Sequence, residues 1–126
     1  MHYILNLTLI TLGISSASEA LGINCRGSSN CGGTLCSLST IYSAVEQLPD
    51  GNLYNPGQHI ACCGDPGVVS GLCAFTQNTD KQISAAQAKT LLQGLINHGC
   101  QKCGSNPFQD NNVAEGELTV NYVSQK

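Results

Sequence analysis

Apolar residues recur at Leu38, Ile41, Tyr42, Val45 and Leu48, spaced by three and four, with Ser39, Ser43, Glu46 and Gln47 on the other side. That period predicts an amphipathic helix within residues 33–48, stopped by Pro49-Asp50-Gly51. A second stripe of Ala88, Leu91, Leu92, Leu95 and Ile96 is better framed. Ser84 and Gln87 make a capping box before it, and Gly99 supplies the left-handed residue that ends a helix. Strand patterns surround the helices. Residues 58–63 and 68–77, joined by Gly64-Asp65-Pro66-Gly67, predict a hairpin. Residues 117–124 alternate Leu118, Val120 and Tyr122 against Thr119 and Asn121, the mark of a half-buried strand, and residues 22–26 offer one more. Two helices and three to five strands with hairpin connections define an α+β sandwich on an antiparallel sheet.

The first residues read differently. Residues 4–14 form an apolar run too short to span a bilayer, and the small residues Ser18 and Ala20 follow where a signal peptidase cuts. The expected organisation is a signal peptide over residues 1–20, although Met1-His2-Tyr3 lacks the usual basic residue, and one domain over residues 21–126. No other apolar run approaches the roughly 20 residues of a spanning helix, so a secreted chain without stable membrane insertion is expected.

All 8 cysteines fall after that cut: Cys25, Cys31, Cys36, Cys62, Cys63, Cys73, Cys100 and Cys103. An even count in a short exported chain reads as disulfides, which such domains use to supplement a small core. Past residue 20, five basic side chains face seven acidic ones, Glu19 being the acid removed from the 8 of the whole chain, for a balance of minus two. Nucleic acid binding needs clustered Lys and Arg and is not expected, and the same balance argues against strong attraction to anionic lipid.

The chemistry-bearing candidate is Asn97-His98-Gly99-Cys100-Gln101-Lys102-Cys103-Gly104-Ser105. A redox dithiol needs a low-pKa thiol, normally at a helix N-terminus, whereas this pair follows a helix, whose negative dipole end opposes a thiolate. A zinc site would recruit His98 or His59, yet the other cysteines are scattered singly or adjacent rather than forming a second spaced pair. His98 suits a helix C-terminus, and His59 an exposed strand position. Glu115 and Glu117 read as solvated charges rather than a glycosidase pair. Adjacent Cys62 and Cys63 face opposite sides of a strand, so their sulfurs should bond to different layers. No catalytic set and no cofactor are expected, and the expected form is a monomer.

Three blocks in order, Leu21-Gly22-Ile23-Asn24-Cys25-Arg26-Gly27-Ser28-Ser29-Asn30-Cys31-Gly32, then residues 97–105, then Gly116-Glu117-Leu118-Thr119-Val120-Asn121-Tyr122-Val123-Ser124, resemble the KP4 killer toxin family. The resemblance implies a disulfide-stapled two-layer sandwich in which two antiparallel helices cover one face of an antiparallel sheet. It also implies bonds from Cys25 to Cys100 and from Cys31 to Cys103, each closing a loop of about seventy residues and stabilising by roughly 4 kcal/mol in the chain-entropy model. Of the remaining four, Cys62 and Cys73 suit cross-strand neighbours in the hairpin, leaving Cys36 with Cys63. This chain departs from the family pattern, which has a further cysteine pair, one at its end. A lysine that the family links to action on calcium channels is Ala61 here.

The leading expectation is a secreted, non-enzymatic toxin or antagonist that binds a protein or cell-surface target on competing cells such as fungi, a calcium channel being the target the resemblance implies. Its candidate contacts are Arg26, Lys81, Lys89 and Lys102. The competing expectation is a non-toxic secreted binding module or host-interaction effector for cell-wall glycan or a plant protein. Its aromatic candidates are Tyr42, Tyr54, Phe108 and Tyr122, of which Tyr42 and Tyr122 also read as core.

Overall fold

A computed structural model describes residues 22–126, and the export-signal segment lies outside the described residues. In chain order the elements are α1 (Leu38–Glu46), β1 (Leu53–Tyr54), β2 (Ala61–Cys63), β3 (Gly71–Gln77), β4 (Ile83–Ser84), α2 (Ala85–His98), β5 (Gly104–Pro107) and β6 (Glu117–Val123), with 3-10 turns at Ser29–Gly33 and Val113–Glu115.

Helix α1 starts later than residue 33. Gly32 and Gly33 lie in the 3-10 turn, Thr34 is extended, and the helix opens only where the Ser37 side chain accepts from the Thr40 amide. Adjacent glycines disfavour helix entry, and Ser37 supplies the first polar cap. Helix α2 has the predicted frame: Ser84 and Gln87 form a reciprocal capping box, and Gly99 ends the helix at φ 99°. The two helices run antiparallel. The Leu38 amide at the start of α1 donates to Gln101 just past α2, while the Ala86 amide at the start of α2 donates to Asp50 just past α1.

The main sheet has the order β2-β3-β6-β5, antiparallel throughout, and β1 pairs with β4 in a small separate sheet. The hairpin strands are shorter than residues 58–63 and 68–77, because residues 64–70 form a wider loop in which Gly67 takes φ 76°. The N-terminal strand is reduced to a single bridge: Asn24 exchanges both amide bonds with Ser105 at 3.0 and 2.9 Å. That bridge covers part of the otherwise free edge of β5.

The core lies between the helices and one face of the sheet. Leu38, Ile41 and Val45 from α1 and Ala88, Leu92 and Leu95 from α2 meet Leu72, Ala74, Leu118 and Val120, all fully buried. Each large aliphatic contributes about 1.5–3 kcal/mol by leaving water. Thr76 projects from the same sheet face, and its hydroxyl has no hydrogen-bond partner.

On the opposite face β6 departs from simple alternation. Glu117 and Thr119 are buried as well as Leu118 and Val120. The strand is central, flanked by β3 and β5, and the N-terminal segment lies across this face, where the Ser28 amide donates to Asn121 Oδ1 at 2.9 Å. The solvated position expected for Glu117 is therefore corrected. Its carboxylate accepts from Asn78 Nδ2 at 2.6 Å and from Thr119 Oγ1 at 3.2 Å, and Ser105 Oγ extends the chain at 2.9 Å from Thr119. A hydroxyl has one proton, so Thr119 donates to the carboxylate and accepts from Ser105.

Candidate functional site

Four disulfides brace this frame: Cys25 with Cys100, Cys31 with Cys103, Cys36 with Cys63, and Cys62 with Cys73. The first two join the N-terminal segment to the turn after α2, so Cys100 and Cys103 bond away from each other. Cys62 and Cys73 are direct register partners across β2 and β3, on the face away from the helices. Cys63, one residue on, turns to the helix side and meets Cys36 ahead of α1. Adjacent cysteines thus serve two layers, because neighbouring strand residues point to opposite faces.

Among the described residues, His59 and His98 lie at different places in the fold, ahead of β2 and at the end of α2. His98 closes α2, exposed, beside an open groove lined by residues 22–26 and Asn111. His59 precedes β2 rather than lying within it, and its ring tilts at 5.9 Å from that of Phe75. Its nitrogen and the sulfurs of Cys62 and Cys73 lie within 4.8 Å of one another. Those two sulfurs are bonded together, and a disulfide sulfur is no thiolate ligand.

The candidate cations divide into two pairs. Arg26 and Lys81 are exposed. Lys89 is not free: its ammonium lies 2.6 Å from Asp50 Oδ1 and 2.8 Å from the Leu48 carbonyl, fastening the chain after α1 to α2. Lys102 donates to the Thr34 carbonyl and is half-buried. Both read first as fastenings, and their partners are far away in sequence, where no local pattern reveals them.

Among the aromatics, Tyr54 is buried in the core and Phe108 and Tyr122 pack against it. Tyr42 does likewise but also lines a shallow groove between the helices with Lys89, Thr90, Gln93, Gly94 and Asn97. Loss of water around its hydroxyl, then the neighbouring Glu46 carboxylate, raises the Tyr42 pKa above that of a free phenol, with Lys89 opposing.

Sequence reading missed a different surface. Leu35, Val68 and Val69 are exposed at 89%, 45% and 71%, although the first lies in the stretch read as helix and the others in the stretch read as strand. Their exposure follows from the late start of α1 and of β3, which leaves all three on loops.

The Kp4 family model matches residues 8–124. The chain is 41% identical over 108 residues to the KP4 killer toxin of Ustilago maydis P4 virus, an overlap covering 84% of this chain and 83% of that toxin. With the helix-on-sheet frame and its four disulfides, this extent of identity gives the conclusion that the chain belongs to the KP4 family.

Proposed function

We propose that this protein is a secreted, non-enzymatic toxin that acts by binding a target on the surface of competing cells, a calcium channel among the candidates. The observation that carries this reading is the 41% identity extending over 83% of a killer toxin. Secretion is supported by the apolar leader at residues 4–14 and by four disulfides, which persist in oxidising surroundings. Of the candidate contacts, Arg26 and Lys81 keep their charges toward solvent, while Lys89 and Lys102 are engaged within the fold. Binding then draws on shape and apolar surface as well as charge. Ala61, where the resemblance places a lysine, lies half-buried in β2 and brings no cation to that strand.

The test is growth of a panel of fungi exposed to the oxidised protein, with and without added calcium. Inhibition relieved by calcium supports the channel target. Inhibition without relief keeps the toxin and removes the channel, and no effect on any member of the panel removes both.

Tyr42 favours a second reading, a non-toxic secreted module for cell-wall glycan, because its ring borders a groove carrying the Gln93 and Asn97 amides. An aromatic beside amide groups is the chemistry that stacks on and hydrogen-bonds to a sugar. Retention on chitin or glucan that Tyr42→Ala abolishes would support it, and absence of retention would exclude it.

A further inference from the structure

The sheet has two unlike ends. At one, where Gly71 pairs with Val123, loops 33–36 and 64–70 meet. The Leu35 amide donates to Asp65 Oδ1 at 3.0 Å, and the Cys36–Cys63 bond fixes the bases of the two loops together. Leu35, Val68 and Val69 project from this braced tip into solvent. Each loop also holds a lysine. Lys102 Nζ donates to the Thr34 carbonyl beside Leu35, and Lys126 Nζ donates to the Val68 carbonyl at 2.7 Å.

Charge divides along the same axis. Arg26 falls between the ends: Asn24 bridges Ser105 toward the Glu117 end, Ser28 binds Asn121 toward the Gly71 end, and residues 22–26 share a groove with Asn111. Counting side chains, the tip half has Lys102 and Lys126 against Asp65. The other half has Lys81 and Lys89 against Glu46, Asp50, Asp80, Asp110, Glu115 and Glu117. Asp80 and Lys81 follow the far end of β3, Asp110 and Glu115 precede β6 at that end, and Glu46, Asp50 and Lys89 sit where α1 ends and α2 begins. The halves carry plus one and minus four, and Arg26 between them completes the minus two of the chain beyond residue 20. A seven-residue strand spans about 20 Å, against a screening length of about 8 Å at physiological salt. The acidic end therefore does little to cancel the field at the tip, and the overall balance is a poor guide to what the tip meets.

The geometry points to the tip as a peripheral docking surface for an anionic lipid bilayer. Three branched aliphatics beside the exposed Lys126, with the half-buried Lys102 adding to the positive field, match the interface of such a membrane, where methyl groups enter below the headgroups while an ammonium group meets phosphate. A protein socket draws more on Trp, Tyr and Arg anchors, whereas the large apolar side chains exposed here are all aliphatic. Asp65 is the opposing charge, and its Oδ1 is already engaged by the Leu35 amide. Contact is shallow and reversible: no helix of the described residues is long and apolar enough to cross a membrane.

The test is co-sedimentation of the oxidised protein with protein-free vesicles of phosphatidylcholine alone or mixed with phosphatidylserine. Binding is expected on the mixed vesicles and to fall with added salt. Lys126→Glu reverses one charge and lowers binding by at least about fivefold, while Lys81→Glu at the acidic end leaves it unchanged. Leu35→Asp with Val69→Asp abolishes it, and circular dichroism verifies that these exposed positions leave the fold intact. No partition of the wild type, equal partition onto neutral vesicles, or unchanged binding by the Leu35/Val69 variant overturns the inference. So does a result in which the variant loses only a protease-sensitive site on cells, which assigns the tip to a protein partner. Vesicles carry no channel, so growth arrest without partition sinks the lipid surface and leaves the proposed toxin, and partition without growth arrest does the reverse.

Discussion

The Lys89 ammonium bridges the Asp50 carboxylate and the Leu48 carbonyl, closing the joint between the end of α1 and the first turns of α2. Asp50 is largely exposed, so the ion pair itself contributes at most about 1 kcal/mol. Lys89→Met, which keeps much of the aliphatic stem, is expected to lower stability by about 1 kcal/mol and to leave growth inhibition unchanged once the protein is folded. Urea titration beside a growth assay checks it. Lost inhibition at full stability would return Lys89 to the contact surface.

Cys25–Cys100 and Cys62–Cys73 should differ in what their removal costs. The first spans 75 residues and the second 11, so the entropy model assigns them roughly 4.5 and 3 kcal/mol. Paired serine replacements are expected to lower the melting temperature more for Cys25/Cys100 than for Cys62/Cys73. The reverse order would mean that strain or native contacts, not loop closure, set the ranking. Non-reducing peptide mapping should recover Cys100 and Cys103 on separate N-terminal partners and no bridge between them.

Glu117→Ala removes the acceptor shared by Asn78 and Thr119 on the covered face of β6. Thr119 is buried and Asn78 exposed, and each has a second acceptor, Gln77 Oε1 and the Val113 carbonyl, so the loss is expected to be about 1 kcal/mol, read from chemical denaturation. Asn78 holds a left-handed backbone, φ 57°, which places its amide over the carboxylate. Asn78→Gly keeps that backbone accessible but loses the amide, and should reproduce only part of the Glu117 loss.

Thr76→Val exchanges a buried hydroxyl without a partner for a methyl group of similar size. Stability should rise by about 1 kcal/mol. A fall in thermal midpoint would show that the hydroxyl finds a bridging water.

Helix α2 is legible because everything that defines it is local: the Ser84 and Gln87 cap, the apolar stripe and Gly99 lie within one stretch. Strand β6 is legible from Leu118, Val120 and Tyr122, but the burial of Glu117 is not, because Asn78 and the segment across that face come from elsewhere in the chain. Strand β5 escapes because Gly104 and Pro107 lack strand character, and its place is set by pairing with β6. Lys89 and Lys102 look like free cations until the fold brings Asp50 and Thr34 to them. Leu35, Val68 and Val69 carry the opposite error, since apolar residues next to periodic segments are naturally assigned to the interior.

The long clasps also impose an order in time. Synthesis proceeds from the N-terminus, so Cys25 and Cys31 emerge 75 and 72 residues before Cys100 and Cys103. Cys62 and Cys73 follow each other within 11 residues and can pair while the chain is still growing. Through that interval the earliest thiols must avoid each other and Cys36 or reshuffle afterwards, since exchange proceeds by thiolate attack on any accessible disulfide. Correct assembly thus ends where the chain began: the last event is the capture of the first segment, after α2 has formed and presented its turn. The yield of refolding from the fully reduced chain should accordingly depend on thiol-disulfide isomerisation.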